Sequence, residues 1–244
     1  MGNNQETDLN KVKEMAIVFL HLTPTMDETF PFFVTHPFFE NSINMIPNKN
    51  NNNVPQMFNI FKEPEKYNTL LMYMEHRIKS CKDVRSIFFM FRKSYRLIFF
   101  KYTKQYLSEK DFAEMLKFCW TTCESPMNDA NVTKKEIVCW FTDANKNFLM
   151  SKEEKKIHKS LPQMVEIYRG TRSVAYKLGV SWTLNRETAE WFAKRFSNSN
   201  DECHLYSYRI DRRDVLCYIN ERNEQEIIVN CNKLKKYRAQ ELKL

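Results

Sequence analysis

Residues 165–229 hold the side chains with the most chemical potential. Arg169 ends the run Val165-Glu-Ile-Tyr168, Ser181 and Thr183 flank Trp182, and Glu224 and Glu226 flank Gln225 just before Ile227-Ile-Val229. A guanidinium is a permanently charged, forked donor suited to phosphate. Hydroxyls can orient a sugar. A carboxylate stabilises the positive charge that develops when a glycosidic bond breaks. Glycine placement sharpens the pattern. The chain has only three glycines, and two of them, Gly170 and Gly179, lie here. One follows Tyr168-Arg169 and the other precedes Val180-Ser181. In a glycine-poor chain such positions mark turns or close backbone approach. No single motif is specific. Acidic-x-acidic pairs recur at Glu6/Asp8, Glu63/Glu65, Glu109/Asp111 and Glu224/Glu226, and only the last runs into an Ile-Ile-Val strand pattern.

Taken as an ordered set, Arg169, Ser181-Trp-Thr183 and Glu224-Gln-Glu226 resemble the three motifs of compact, toxin-like mono-ADP-ribosyltransferases. The intervening Thr188-Ala-Glu-Trp-Phe-Ala-Lys-Arg-Phe196 is similar to small bacterial and phage members of that family. The resemblance covers roughly residues 162–240. It implies a compact split β-sandwich and NAD as substrate, with no metal. In that light Glu226 is the expected catalytic glutamate gripping the ribose 2′-hydroxyl. Arg169, followed by Gly170, anchors NAD, while Ser181 and Thr183 brace the site. Glu224 handles the acceptor, and a glutamate there implies an arginine side chain as acceptor. An aromatic stacks on nicotinamide, with Tyr168, Phe192 and Trp191 as candidates. Trp182 departs from the small middle residue of many toxins. A role in conflict between bacteria and phage is implied by resemblance alone.

The chain has 244 residues, enough for one large or two small domains. Its net charge of +8 is uneven. Residues 1–150 hold 19 basic and 17 acidic side chains (+2), and residues 151–244 hold 19 and 13 (+6). A positive second half suits a polyanionic ligand. A macromolecular acceptor is expected, either protein or, given this charge, RNA or DNA. Two competing readings are an inactive basic binding module and an NAD glycohydrolase using water. The seven cysteines include no Cys-x-x-Cys pair, so reduced thiols in a cytoplasmic protein are expected. No apolar run reaches the length of a spanning helix, so no membrane partner is expected.

Periodicity gives the elements that must position these groups. Helices are expected over 8–22, 65–80, 83–107, 108–122, from Asn131 or Thr133 to 148, and over 151–160. A Pro- and Phe-rich irregular stretch at 23–64, whose Phe30, Phe32, Phe33, Phe38 and Phe39 are expected to pack on the body, carries the run Asn48-Lys-Asn-Asn-Asn-Asn53, expected to be a mobile tip. In 83–107 the basic residues, Arg96 among them, are expected on a solvated face. From Met164 the period shortens. Strands are expected at 165–168, 180–183, 204–210, 215–219 and 226–229, with a helix over 186–196 and a turn at 220–223. The fold class is α+β: a helical N-terminal region, 1–160, then a catalytic core, 161–244.

Overall fold

The computed structural model describes residues 6–47, 54–124, 126, 131–195 and 202–244. The Asn-rich run, Phe196 and most of the expected 198–202 turn lie outside the described residues. The chain divides into two compact units, residues 1–131 and 132–244.

The first unit contains α1 (Leu9–Leu20), β1 (Thr25–Met26), β2 (Val34–Thr35), β3 (Ile43–Pro47), β4 (Pro55–Asn59), α2 (Pro64–Ser80), α3 (Val84–Met90), α4 (Arg96–Thr103) and α5 (Glu109–Thr122). Asp8 starts α1 by accepting the Lys11 N–H at 3.0 Å. The helix buries Val12, Ala16, Phe19 and Leu20, a single stripe. Phe19 meets Phe91 and Phe99 edge-on at 5.7 and 5.6 Å, and those two stack at 4.0 Å.

The single helix expected over 83–107 is broken. Phe91 and Arg92 are extended, with ψ of 141° and 143°. The break lets Arg92 serve the preceding loop. Its N–H donates to Pro37 O at 2.9 Å, and Nη1 donates to Val34 O and Phe39 O at 2.8 and 3.2 Å. Arg96 is buried, contrary to the expected solvated face. Its Nε donates to Phe91 O at 3.1 Å and its guanidinium lies 4.7 Å from the Phe118 ring centre. Planar charge and aromatic faces make that burial tolerable. The stretch read as irregular forms two short antiparallel pairs, β1–β2 and β3–β4. Of its phenylalanines Phe39 is buried, whereas Phe30, Phe32 and Phe33 are exposed.

The second unit contains α6 (Lys134–Asp143), α7 (Lys146–Leu149), α8 (Lys152–Ser160), β5 (Met164–Thr171), β6 (Ser181–Thr183), α9 (Arg186–Lys194), β7 (His204–Asp211), β8 (Val215–Ile219), β9 (Glu226–Val229) and β10 (Gln240–Leu242). Capping boxes open α6 (Thr133/Glu136) and α8 (Ser151/Glu154). The expected 131–148 helix is interrupted at Ala144, and Asn145 caps α7. The unit begins at 132 rather than at the change of period near 161, because α6 and α8 pack on β8.

A six-stranded antiparallel sheet runs β10-β7-β5-β6-β9-β8. With the helices it makes the protein a mixed helix-and-sheet chain. β5 pairs with β7 along its whole length, from Met164↔Asp211 to Thr171↔His204. β5 meets β6 only at Tyr168↔Thr183. The sheet is therefore two three-stranded halves, β10-β7-β5 and β6-β9-β8, joined at one residue pair. β10 has no β-branched residue to announce it and exists by pairing with β7, Glu241 opposite Tyr206. Among the described residues no helix is long and apolar enough to cross a membrane.

Candidate active site

The joint between the two halves gathers the predicted groups. Tyr168 pairs with Thr183, and Thr183 pairs with Glu226. Paired residues of a ladder project to the same face, so these three form a row across β5, β6 and β9. Ser181, two residues before Thr183, shares that face. Its hydroxyl lies 2.5 Å from Glu226 Oε1. Glu226 itself is buried. A buried carboxylate needs such a partner to hold one orientation.

Arg169 is one residue out of phase with Tyr168 and starts from the opposite face. It nevertheless arrives at the same joint. Nη1 donates to Ser181 O at 2.6 Å and Nε to Tyr176 O at 3.0 Å. Arg169 and Glu226 thus meet through one residue, the first holding its carbonyl and the second its hydroxyl. Burial pushes the guanidinium pKa down, to about 10, and the Glu226 carboxylate works in the opposite direction. It stays a cation at neutral pH.

The glycines explain the room. A Cβ on Gly179 would lie 2.4 Å from Arg169 Cζ, so glycine is what lets the guanidinium settle there. A Cβ on Gly170 would lie 1.9 Å from Ala189 O and 2.5 Å from Ala193 N. There glycine permits α9 to lie directly on β5, with Ala189 and Ala193 buried in the contact. Trp182 points away from the row and is buried, and its Nε1 donates to Gly179 O at 2.9 Å. The bulky middle residue of the Ser-x-Thr segment therefore anchors Gly179.

Glu224 does not follow strand alternation. β9 begins at Glu226, and Gln225 adopts φ 46°, a left-handed conformation that costs a side-chain-bearing residue about 1–2 kcal/mol. Three bonds hold it. Gln225 N–H donates to Asn220 Oδ1 at 2.9 Å, Leu184 N–H donates to Gln225 O at 3.1 Å, and Thr183 Oγ1 donates to Glu224 O at 2.6 Å. Asn220 is itself fixed, its N–H donating to Glu154 Oε1 at 2.8 Å. Glu154 is buried, and its other oxygen accepts the Ser151 N–H at 2.7 Å. A capping residue of α8 thereby sets the Glu224–Glu226 turn. Sequence reasoning missed Glu154, and the Ser-x-x-Glu signature marks it only as a helix cap.

The turn also brings in Arg222, another residue the sequence reading left out. Its Nη2 lies 2.7 Å from Glu224 Oε2 and 4.0 Å from Glu226 Oε2. Of the aromatic candidates, the register brings Tyr168 into the row. Burial and then Glu166 raise its pKa, so it is a neutral phenol. Trp191 and Phe192 pack edge-on at 4.9 Å on α9, where Trp191 is exposed and lies 5.1 Å beneath the Arg195 guanidinium. A hollow of about 360 Å³ opens elsewhere on the sheet, lined by Glu166, Ser207, Arg209 and Arg238 among others. None of the predicted site residues lines it. Among the described residues no cluster of three or more His, Cys, Asp or Glu could hold a metal ion. No family model, no curated protein and no solved structure matches this chain.

Proposed function

We propose that the chain cleaves the nicotinamide–ribose bond of NAD and transfers ADP-ribose to a macromolecular acceptor. The single observation that supports this most is the Ser181 junction: one residue bonded to the Glu226 carboxylate through its hydroxyl and to the Arg169 guanidinium through its carbonyl. Loss of nicotinamide leaves positive charge on the anomeric carbon and ring oxygen. A carboxylate held in one orientation in a buried setting stabilises that charge with no reorganisation. In this reading Glu226 grips the ribose 2′-hydroxyl, with Ser181 fixing its orientation. Arg169 stays charged to neutralise the pyrophosphate. Tyr168 supplies a neutral aromatic face in the same row, and Glu224 receives the acceptor's proton. The sheet divided at Tyr168↔Thr183 is compatible with a split β-sandwich, two halves parting where a dinucleotide would lie.

The test is incubation of the protein with NAD labelled in its adenylate half, plus a cell lysate. Nicotinamide release and a labelled protein or nucleic acid are expected. Glu226→Gln should abolish both. Wild-type protein no more active than Glu226→Gln would refute the proposal. Nicotinamide release with no labelled macromolecule would identify an NAD glycohydrolase instead.

A further inference from the structure

The row that begins at Glu226 does not stop at Tyr168. Tyr168 also pairs with Ser207, and Ser207 with Gln240, so one face carries Glu226, Thr183, Tyr168, Ser207 and Gln240 in line across the sheet. Arg209, two residues beyond Ser207, shares that face and stands opposite Glu166. The hollow of about 360 Å³ opens on this side, with Glu166, Ser207, Arg209, Arg238 and Gln240 in its lining. Both arginines are exposed, and among the described residues neither pairs with a carboxylate. Next to Arg238 in the chain is Tyr237, 76% exposed. Lys235 Nζ and the Arg238 guanidinium each lie 5.9 Å from its ring centre. This segment is tied to β7, because Lys235 N–H donates to Tyr208 Oη at 3.1 Å.

We propose that this outer half of the sheet, β10-β7-β5, docks a single strand of nucleic acid and that the strand is the acceptor. The acceptor role rests on the transferase reading above; the docking does not. A polynucleotide needs cations for its phosphates, and Lys235, Arg209 and Arg238 supply them. An exposed aromatic between two cations is a platform on which a base of any identity can stack. Ser207 and Gln240 offer donors and acceptors to a sugar or base edge. The hollow is at the small end of ligand sites, so it admits one nucleotide and not a duplex, whose stacked bases could not lie on Tyr237. Neighbouring strands are about 4.8 Å apart, so Ser207 stands roughly 14 Å from Glu226 along the face. A strand seated in the hollow spans that path and brings another of its nucleotides to the Glu226 row. There an N–H or O–H of the nucleotide forms the new bond to the anomeric carbon. The bond from that carbon to nicotinamide breaks, its electron pair leaves with neutral nicotinamide, and the displaced proton passes to Glu224.

The experiment uses the purified full chain and fluorescence anisotropy, without NAD, on a single-stranded RNA, its DNA counterpart and the matching duplex. One of the single strands is expected to bind more tightly than the duplex, and the comparison of the two says which sugar is preferred. Arg209→Gln and Arg238→Gln should each lower the slope of log K against log salt by about 0.7. Tyr237→Ala should weaken binding about tenfold and leave the slope alone. Lys156→Gln removes an exposed charge from α8 and should change neither. All four variants should keep the wild-type Tm and the wild-type rate of nicotinamide release from NAD alone. No strand binding, a duplex bound as tightly as the strand, or an equal loss in Lys156→Gln would overturn the inference, while nicotinamide release would leave the transferase reading standing. Labelled NAD is then added to the bound strand, and label on the strand is expected. Label on lysate protein alone would overturn the acceptor role. Strand binding with no nicotinamide release under any condition would sink the transferase reading, and the acceptor role with it.

Discussion

Ser181 and Glu226 are bonded side chain to side chain at 2.5 Å across 45 residues of chain. The serine hydroxyl is the group that aims one carboxylate oxygen, so its loss is read in chemistry before stability. A hydrogen bond to a charged group contributes about 1.5–3 kcal/mol, which is roughly 10–100-fold in rate. Ser181→Ala should therefore lower the rate of nicotinamide release by about that factor with KM for NAD little changed. Steady-state kinetics on NAD alone measures it. A KM rise with an unchanged kcat would mean that Ser181 binds substrate rather than orienting Glu226.

The two glycines of the site should respond differently. Gly179→Ala puts a methyl group 2.4 Å from Arg169 Cζ, so the guanidinium must shift. Strain of about 1–2 kcal/mol predicts a roughly tenfold higher KM for NAD with a small change in Tm. Gly170→Ala meets backbone, Ala189 O at 1.9 Å, and no side-chain movement relieves that. It should cost at least about 2 kcal/mol of stability, read as a fall in Tm. Equal Tm values for the two variants would contradict this division.

Glu154 should act at a distance from the chemistry. Glu154→Ala removes acceptors from the Ser151 and Asn220 N–H groups, about 2–3 kcal/mol. It should also release the strained Gln225 turn and so lower kcat. Glu154→Gln keeps only one oxygen and should fall between. Denaturant melts paired with nicotinamide-release rates test both effects. A loss of stability with kcat intact would show that α8 does not position the turn.

The first unit carries a pH-dependent element at His36. The ring is buried, and burial holds its pKa at about 4, while its bond to Leu22 O works the other way. Its two nitrogens have opposite roles. Nε2 faces Leu22 O at 3.0 Å and must donate, and Nδ1 accepts the Phe38 N–H at 3.1 Å. Only the neutral ring satisfies both. The unfolded chain binds a proton near pH 6.5 and the folded chain does not until about 4, so the unfolded state holds more protons between them. Stability is thus present above about pH 6.5 and is lost as pH falls toward 4. Tm measured across that window should fall, and His36→Asn should flatten the slope even if it lowers Tm everywhere.

Much of the local architecture was legible because it is decided within a few residues. Asp8, Ser108, Thr133 and Ser151 accept N–H groups three positions on, and each announces a helix start. The alternation of His204–Asp211 announces β7. The 83–107 helix was misread because Arg92 leaves it to satisfy carbonyls of the 34–39 loop, more than fifty positions away. Arg96 was misread because its burial depends on Phe118, which no periodicity within its own helix reveals. The exposed Phe30, Phe32 and Phe33 show the converse, since apolar composition alone does not say whether a loop closes over its own aromatics.

By itself, then, the sequence determined the helix caps, the change from helical to strand period at Met164, and the order in which Arg169, Ser181, Thr183, Glu224 and Glu226 follow one another. Only the tertiary structure decided that β5 touches β6 at Tyr168↔Thr183 alone, that Ser181 is the residue through which Arg169 and Glu226 meet, and that Arg222 stands between two carboxylates. The reason is physical. Caps and periodicity are short-range preferences written into neighbouring side chains. A bond between residues 181 and 226 depends on strand order, and the left-handed Gln225 opposes its own local preference. Such a conformation persists only because Asn220, Leu184 and Thr183 hold it from three sides.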